Sequence, residues 1–188
     1  MSGLLILLTG SGMFSARADG ASPVLDDYSD ATRNRNGVER LLIDDRTAGG
    51  KSQATQHCEN GQLEMRGTLA PGRGVPAFIS LVSPLSRDGA PRDLSAYQGV
   101  RLRVKVTQGL LCVQVSSTGI TNFDYHTSAP IPGGRGEFQE VRIPFKDMKR
   151  AWSEPLPLNL KTVTSVNLVS FGMARDSFAY TVDELGFY

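Results

Sequence analysis

From Val100 to Thr107 apolar and polar side chains alternate without a break: Val100, Leu102, Val104 and Val106 on one side, Arg101, Arg103, Lys105 and Thr107 on the other. Successive side chains of a strand point to opposite faces, so this period of two describes a strand with one face buried and one in water. A helix cannot carry it, because a helical face repeats about every 3.6 residues. Leu111, Val113 and Val115 repeat the pattern against Cys112, Gln114 and Ser116, and Val141, Ile143 and Phe145 repeat it against Arg142. Strands that are apolar on one side only need a second layer to cover them.

Further β-type runs fall near 41–44, 54–59, 62–69, 77–83, 122–128, 137–144, 163–172 and 178–188, separated by Gly, Pro, Asn and Asp. Asn60-Gly61 between two of them is a two-residue hairpin signal, since both turn positions need positive φ. Prolines 130, 132, 144, 155 and 157 sit at strand ends or in loops. Helical structure is expected only as a turn around 146–152 or 94–98. The pattern predicts an all-β fold, a two-layer antiparallel β-sandwich of jelly-roll type with sheets about 10 Å apart. At 188 residues, 40% hydrophobic and 21% charged, the chain suits one ordinary domain that buries enough surface without staples. That domain is expected over 40–188, preceded by a flexible lead-in over 19–39 that has no sustained period.

Residues 1–18 read as a secretory signal: Leu4-Leu5-Ile6-Leu7-Leu8, then small residues, then Ala16-Arg17-Ala18 before Asp19. Export, periplasmic or secreted, is the localisation this favours; mitochondrial or cytoplasmic residence is the alternative. No later segment has the run of about eighteen apolar residues that a membrane span needs. With 20 basic and 19 acidic residues the chain has no global field for nucleic acid. Cys58 and Cys112 are either a disulfide or two small buried apolar groups.

Catalytic constellations are sparse, and the chain is read as non-enzymatic. His57 adjoins Cys58 in a strand, where neighbours point apart, so the two cannot pair locally. His126 follows Asp124 by two, which puts both on one face and could orient an imidazole for ligand contact. Gly49-Gly50-Lys51-Ser52 lacks the first glycine of a phosphate loop, because Asp45 stands there, and reads as a tight turn. The strongest recognition surface is the polar row Arg101, Arg103, Lys105, Gln114 and Arg142, suited to sugar hydroxyls, carboxylates or an acidic protein patch if their strands are neighbours. Trp152 and Tyr125 could add stacking platforms.

Four blocks carry a family resemblance. They are Asp44-Asp45-Arg46 with Gly49-Gly50-Lys51-Ser52; Asp93-Leu94-Ser95-Ala96-Tyr97-Gln98-Gly99 leading into the basic strand; Val141-Arg142-Ile143-Pro144-Phe145; and Val166 to Gly172 followed by Phe178 to Tyr188. In order and spacing they resemble the complex I intermediate-associated protein 30 family, a galactose-binding-like β-sandwich. The resemblance implies a non-catalytic assembly factor or chaperone with a protein partner, no cofactor, and a possible structural calcium at Asp44, Asp45, Asp183 and Glu184. Family members often carry Gly-Asp-Gly after the basic strand and a Trp at the start of the Pro-Phe strand, where this chain has Thr107-Gln108-Gly109 and Glu137-Phe138-Gln139. The alternative is a carbohydrate-binding module of an exported protein, with a glycan as partner.

Overall fold

The computed structural model describes residues 23–133 and 136–188, so the signal expected over 1–18 lies outside the described residues. Eleven strands follow in chain order: β1 (Val24–Asp26), β2 (Leu41–Asp44), β3 (Gln53–Glu59), β4 (Gln62–Leu69), β5 (Ala77–Pro84), β6 (Gly99–Gln108), β7 (Cys112–Ser117), β8 (His126–Thr127), β9 (Gln139–Pro144), β10 (Val163–Gly172) and β11 (Asp176–Phe187). A six-stranded sheet has the order β3-β4-β11-β6-β9, with β1 also on β11; a five-stranded sheet has the order β2-β5-β10-β7-β8. All pairings are antiparallel. The result is the two-layer sandwich that the period of two demands. Val100, Leu102, Val104 and Val106 from one sheet join Val113, Val115, Val166 and Leu168 from the other in a single buried cluster. Each such side chain contributes about 1.5–3 kcal/mol by leaving water.

Local chemistry sets the turns. Asn60 (φ 53°) and Gly61 (φ 73°) make the hairpin between β3 and β4 in the left-handed conformation that this dipeptide favours. The expected strand over 122–128 contracts to the two residues of β8, because Phe123 takes φ 62° and breaks the extended run. Short 3-10 turns cover Phe145–Asp147 and Leu160–Thr162, the first overlapping the start of the 146–152 stretch expected to turn.

The segment expected as a flexible lead-in is instead built into the domain from residue 23 onward. β1 pairs with β11 at Val24 and Gly186, and Leu25 and Tyr28 are buried. Asp26 accepts two hydrogen bonds from Arg40 Nη1 at 2.7 and 2.9 Å, with both side chains almost wholly buried. The same guanidinium donates to the Arg33 and Asp30 carbonyls and lies 5.3 Å from the centre of the Tyr28 ring. A polar knot of this kind leaves no hydrophobic period, which is why the segment reads as mobile in sequence.

The Asp44 to Ser52 block is a second knot, and its logic is steric. Buried Asp45 accepts from the Ser52 amide (3.1 Å), the Ser52 hydroxyl (2.5 Å) and the Phe78 amide (3.3 Å), tying the β2–β3 connection to β5. Ser52 Oγ in turn accepts from the Ala70 amide at 2.9 Å. A Cβ on residue 50 would stand 2.2 Å from the Asp45 carboxyl carbon, so the second glycine is required by the clamp itself. Gly49 supplies the left-handed turn before it, at φ 86°. The Gly-Gly-x-Ser spacing therefore serves folding.

Candidate functional site

The basic row is real on the six-stranded sheet, and the sheet also supplies its counterions. β6 lies between β11 and β9, which sets Arg101 opposite Arg142 and Arg103 opposite both Glu184 and Glu140. Two arginines directly across a ladder repel. Glu184 relieves the pair by accepting from Arg101 Nη2 at 2.5 Å, Glu140 by accepting from Arg142 Nε at 2.9 Å, and Arg103 pairs with Asp183. Rings hold the cations from the side. Arg103 and Lys105 stand 5.1 and 5.2 Å from the centre of Phe138, and Arg142 stands 5.2 Å from that of Tyr188. An open depression of about 1180 Å³ adjoins the row, lined among others by Thr55, Arg66, Thr68, Lys105, Thr107 and Thr181.

Gln114 does not belong to this row. It lies on β7 of the other sheet, where its side-chain amide donates to Thr127 Oγ1 at 3.1 Å. β6 and β7 are consecutive in sequence, but the chain crosses between layers at that turn, which alternation cannot reveal.

His126 is also relocated. It is buried, and Nε2 lies 2.6 Å from the Leu156 carbonyl, to which it donates, so it fastens a loop. Asp124 works beside it. Its carboxylate accepts the backbone amides of Ala151 (2.8 Å), Trp152 (3.1 Å) and Ser153 (2.7 Å). Burial pushes the Asp124 carboxyl up, but the hydrogen bonds from Ala151, Ser153 and Trp152 outweigh it and hold the group below its ordinary value. Arg150 adds bonds to the Asp124 and Glu154 carbonyls and to Asn122. The connections 118–125 and 148–159 are thereby stapled into one platform, which presents Phe123 at 74% exposure and Trp152 at 71%. Tyr125 is half-buried and meets Phe123 edge-on, ring centres 6.3 Å apart. Nothing in the spacing marked Asp124 as the clamp; an acid two residues before a histidine fits either role.

The four carboxylates considered for calcium are not brought together. Asp44 binds Arg46, Asp45 holds Ser52 and Phe78, and Asp183 and Glu184 serve the basic row on the other sheet. Among the described residues no group of three or more His, Cys, Asp or Glu side chains is placed to hold a metal ion. Cys58 and Cys112 are both free thiols on different sheets, and burial pushes the Cys112 thiol up to about 11. His57 is exposed beside Glu59, at 3.4 Å.

These features define a two-layer antiparallel β-sandwich of jelly-roll type. Two solved structures share the fold over most of both chains. The family 11 carbohydrate-binding module of a cellulosomal cellulase from Clostridium thermocellum aligns at TM-score 0.64 and 15% identity, covering 87% of this chain and 92% of that one. The same organism's module in complex with a β-1,3-1,4-mixed-linked tetrasaccharide aligns at 0.62 and 15%, covering 88% and 94%. An agarase aligns at 0.54 and 10% identity, covering 87% of this chain but 24% of its own. No curated protein matches the sequence. The model of the complex I intermediate-associated protein 30 family matches residues 33–182, and the chain belongs to that family. Among the described residues no helix is long and apolar enough to cross a membrane.

Proposed function

We propose that this protein is a non-catalytic recognition module of the assembly-factor type, docking a protein partner through the charged outer face of its six-stranded sheet and the adjoining loops. The observation that supports this reading is the ladder Glu140, Arg142, Arg101, Glu184, Arg103 and Asp183, in which every guanidinium has a carboxylate partner. A surface of paired, pre-ordered charges loses little side-chain entropy when a complementary protein arrives, and it rejects partners whose charges fall out of register. Membership of the complex I intermediate-associated family makes a protein under assembly the expected partner. Binding of the native partner complex to immobilised domain, compared with Arg103→Ala/Arg142→Ala, tests it. One complex should be retained by the natural sequence and lost from the double variant at unchanged melting temperature; equal retention rules the face out.

A second reading, a carbohydrate-binding module, is favoured by the exposure of Trp152 and Phe123 on a stapled platform. Rigid aromatic side chains at a wet surface suit the apolar face of a sugar ring.

A further inference from the structure

The outer face of the five-stranded sheet has a composition unlike the rest of the surface. Opposite the core residues Ile79, Leu81, Val113, Val115, Val166 and Leu168, its strands turn outward a set of side chains without one charge. The register lines them up: Ile43, Ser80, Val169 and Cys112 in one row; Leu41, Val82, Asn167, Gln114 and Thr127 in the next; Pro84, Ser165 and Ser116 in a third. Lys149, bridged to Thr127 beyond β8, and Arg92, bridged to Val163 at the start of β10, are charges at its margins. Although these residues belong to no core cluster, the central ones are sunk out of solvent: Cys112 is 1% exposed, Asn167 3% and Ser116 7%.

Asn167 sits at the centre of that floor with its hydrogen bonding half complete. Its Nδ2 donates to Ser116 Oγ at 3.0 Å, while Oδ1 finds no donor among the described residues. A buried amide oxygen left unpaired is destabilising, and a hydroxyl donor that reaches it from a ligand relieves that cost. Around it stand further uncharged hydrogen-bonding groups, Ser80, Ser116, Ser165, Gln114 and Thr127, and at one end the cross-strand pair Phe78 and Phe171. Phe123 and Tyr125 lie in the β7–β8 connection, their rings meeting edge-on.

We propose that this face is a binding site for a neutral polysaccharide, which deepens the second reading above by giving it a place and a ligand class. Hydroxyls that both donate and accept match a floor of serine, threonine and carboxamide groups, and the apolar faces of sugar rings match the flanking phenylalanines. Acidic glycans and nucleic acids meet no cation on the floor. An apolar helix would leave the hydroxyl and amide groups unpaired. A peptide strand needs free main-chain groups, and β5, β10 and β7 are each paired on both sides.

Affinity electrophoresis of the full domain through gels containing soluble β-glucan, xylan, agarose or, as the acidic control, polygalacturonate tests the proposal. The natural sequence is expected to be retarded by at least one neutral polymer and not by polygalacturonate. Gln114→Ala and Phe171→Ala, at half-buried or exposed positions that tolerate truncation, and Asn167→Leu should each weaken retardation about tenfold or more, while Arg103→Ala/Arg142→Ala leaves it unchanged. Retardation by a neutral glycan that survives Gln114→Ala and Phe171→Ala overturns the site and leaves the sugar-binding reading standing. Retardation by polygalacturonate alone, by no polymer, or a bound protein displaced by these same variants overturns both.

Discussion

The two outer faces of this sandwich rest on one core yet obey different chemistry. The six-stranded sheet turns out arginine, lysine, aspartate and glutamate, matched in ion pairs and capped by Phe138 and Tyr188. The five-stranded sheet turns out serine, asparagine, glutamine, valine and phenylalanine, with its central groups sunk out of solvent. Charges on an open sheet stay hydrated and act at range; uncharged polar groups on a sunken one act only on what touches them. A sandwich can carry two chemically distinct outer faces back to back, because the strict alternation that builds the core leaves every outward position free to vary.

The largest effect is expected where both must fail together. Arg40→Met strands the Asp26 carboxylate inside the protein without its cation, and breaking a buried pair from one side costs about 3–5 kcal/mol. Burial already pushes Asp26 up against the pull of the Arg40 hydrogen bonds and charge, so removing Arg40 leaves desolvation unopposed. Urea unfolding should show the loss, with retention of partner and of polysaccharide lost at the same urea concentration. If one activity persists well past the unfolding of the other, the faces do not share a single cooperative core.

A smaller effect isolates the loop platform. Asp124→Asn removes the carboxylate that takes three consecutive amides, at a cost of about 1–3 kcal/mol. The chain has a single Trp, so the emission of Trp152 reports this loop alone. Its anisotropy should fall in the variant while the charged face keeps its partner. Because the folded-state value of Asp124 lies below its ordinary 3.8, its contribution is full above 3.8 and is lost as pH falls through the folded-state value. Acid titration of Trp152 emission should therefore show a step below 3.8 that is absent from Asp124→Asn; a step retained in the variant assigns the transition to another carboxylate.

Salt separates the faces at lower cost. Between about 0.05 and 0.5 M NaCl the screening length falls severalfold, so partner binding by the charged ladder should weaken about tenfold while polysaccharide retardation stays flat. Equal salt sensitivity would place both ligands on the charged face.

How much of this was legible in sequence follows from what alternation encodes. Val100 to Thr107 states that a strand is buried on one side, and it placed Arg101, Arg103 and Lys105 together because residues two apart share a face. Arg142 joined them because β9 pairs with β6. Gln114 did not, since no local pattern says which sheet a strand enters. Asp183 and Glu184 were visible as acids, but their role depends on the register of β11 against β6, a contact across about eighty residues. The β1 segment and the Asp26–Arg40 knot were missed for the opposite reason: polar groups that satisfy one another inside a protein look, in sequence, like groups that seek water.

The smallest expected effect is the sharpest test of the charged face. Arg103 pairs with Asp183 and lies over Phe138, yet its side chain is 59% exposed. Exposed ion pairs contribute about 0–1 kcal/mol, so Arg103→Ala should shift stability by no more than about 0.5 kcal/mol. Arg103→Lys keeps the charge and loses the planar fork, so it should match Ala if partner recognition needs two parallel hydrogen bonds and match Arg if it needs charge alone. Thermal unfolding beside partner titration of both variants reads the two quantities separately. A stability loss well above 1 kcal/mol in Arg103→Ala would mean that the ladder holds the sheet together, and the face would then be a structural brace with its charges already spent on one another.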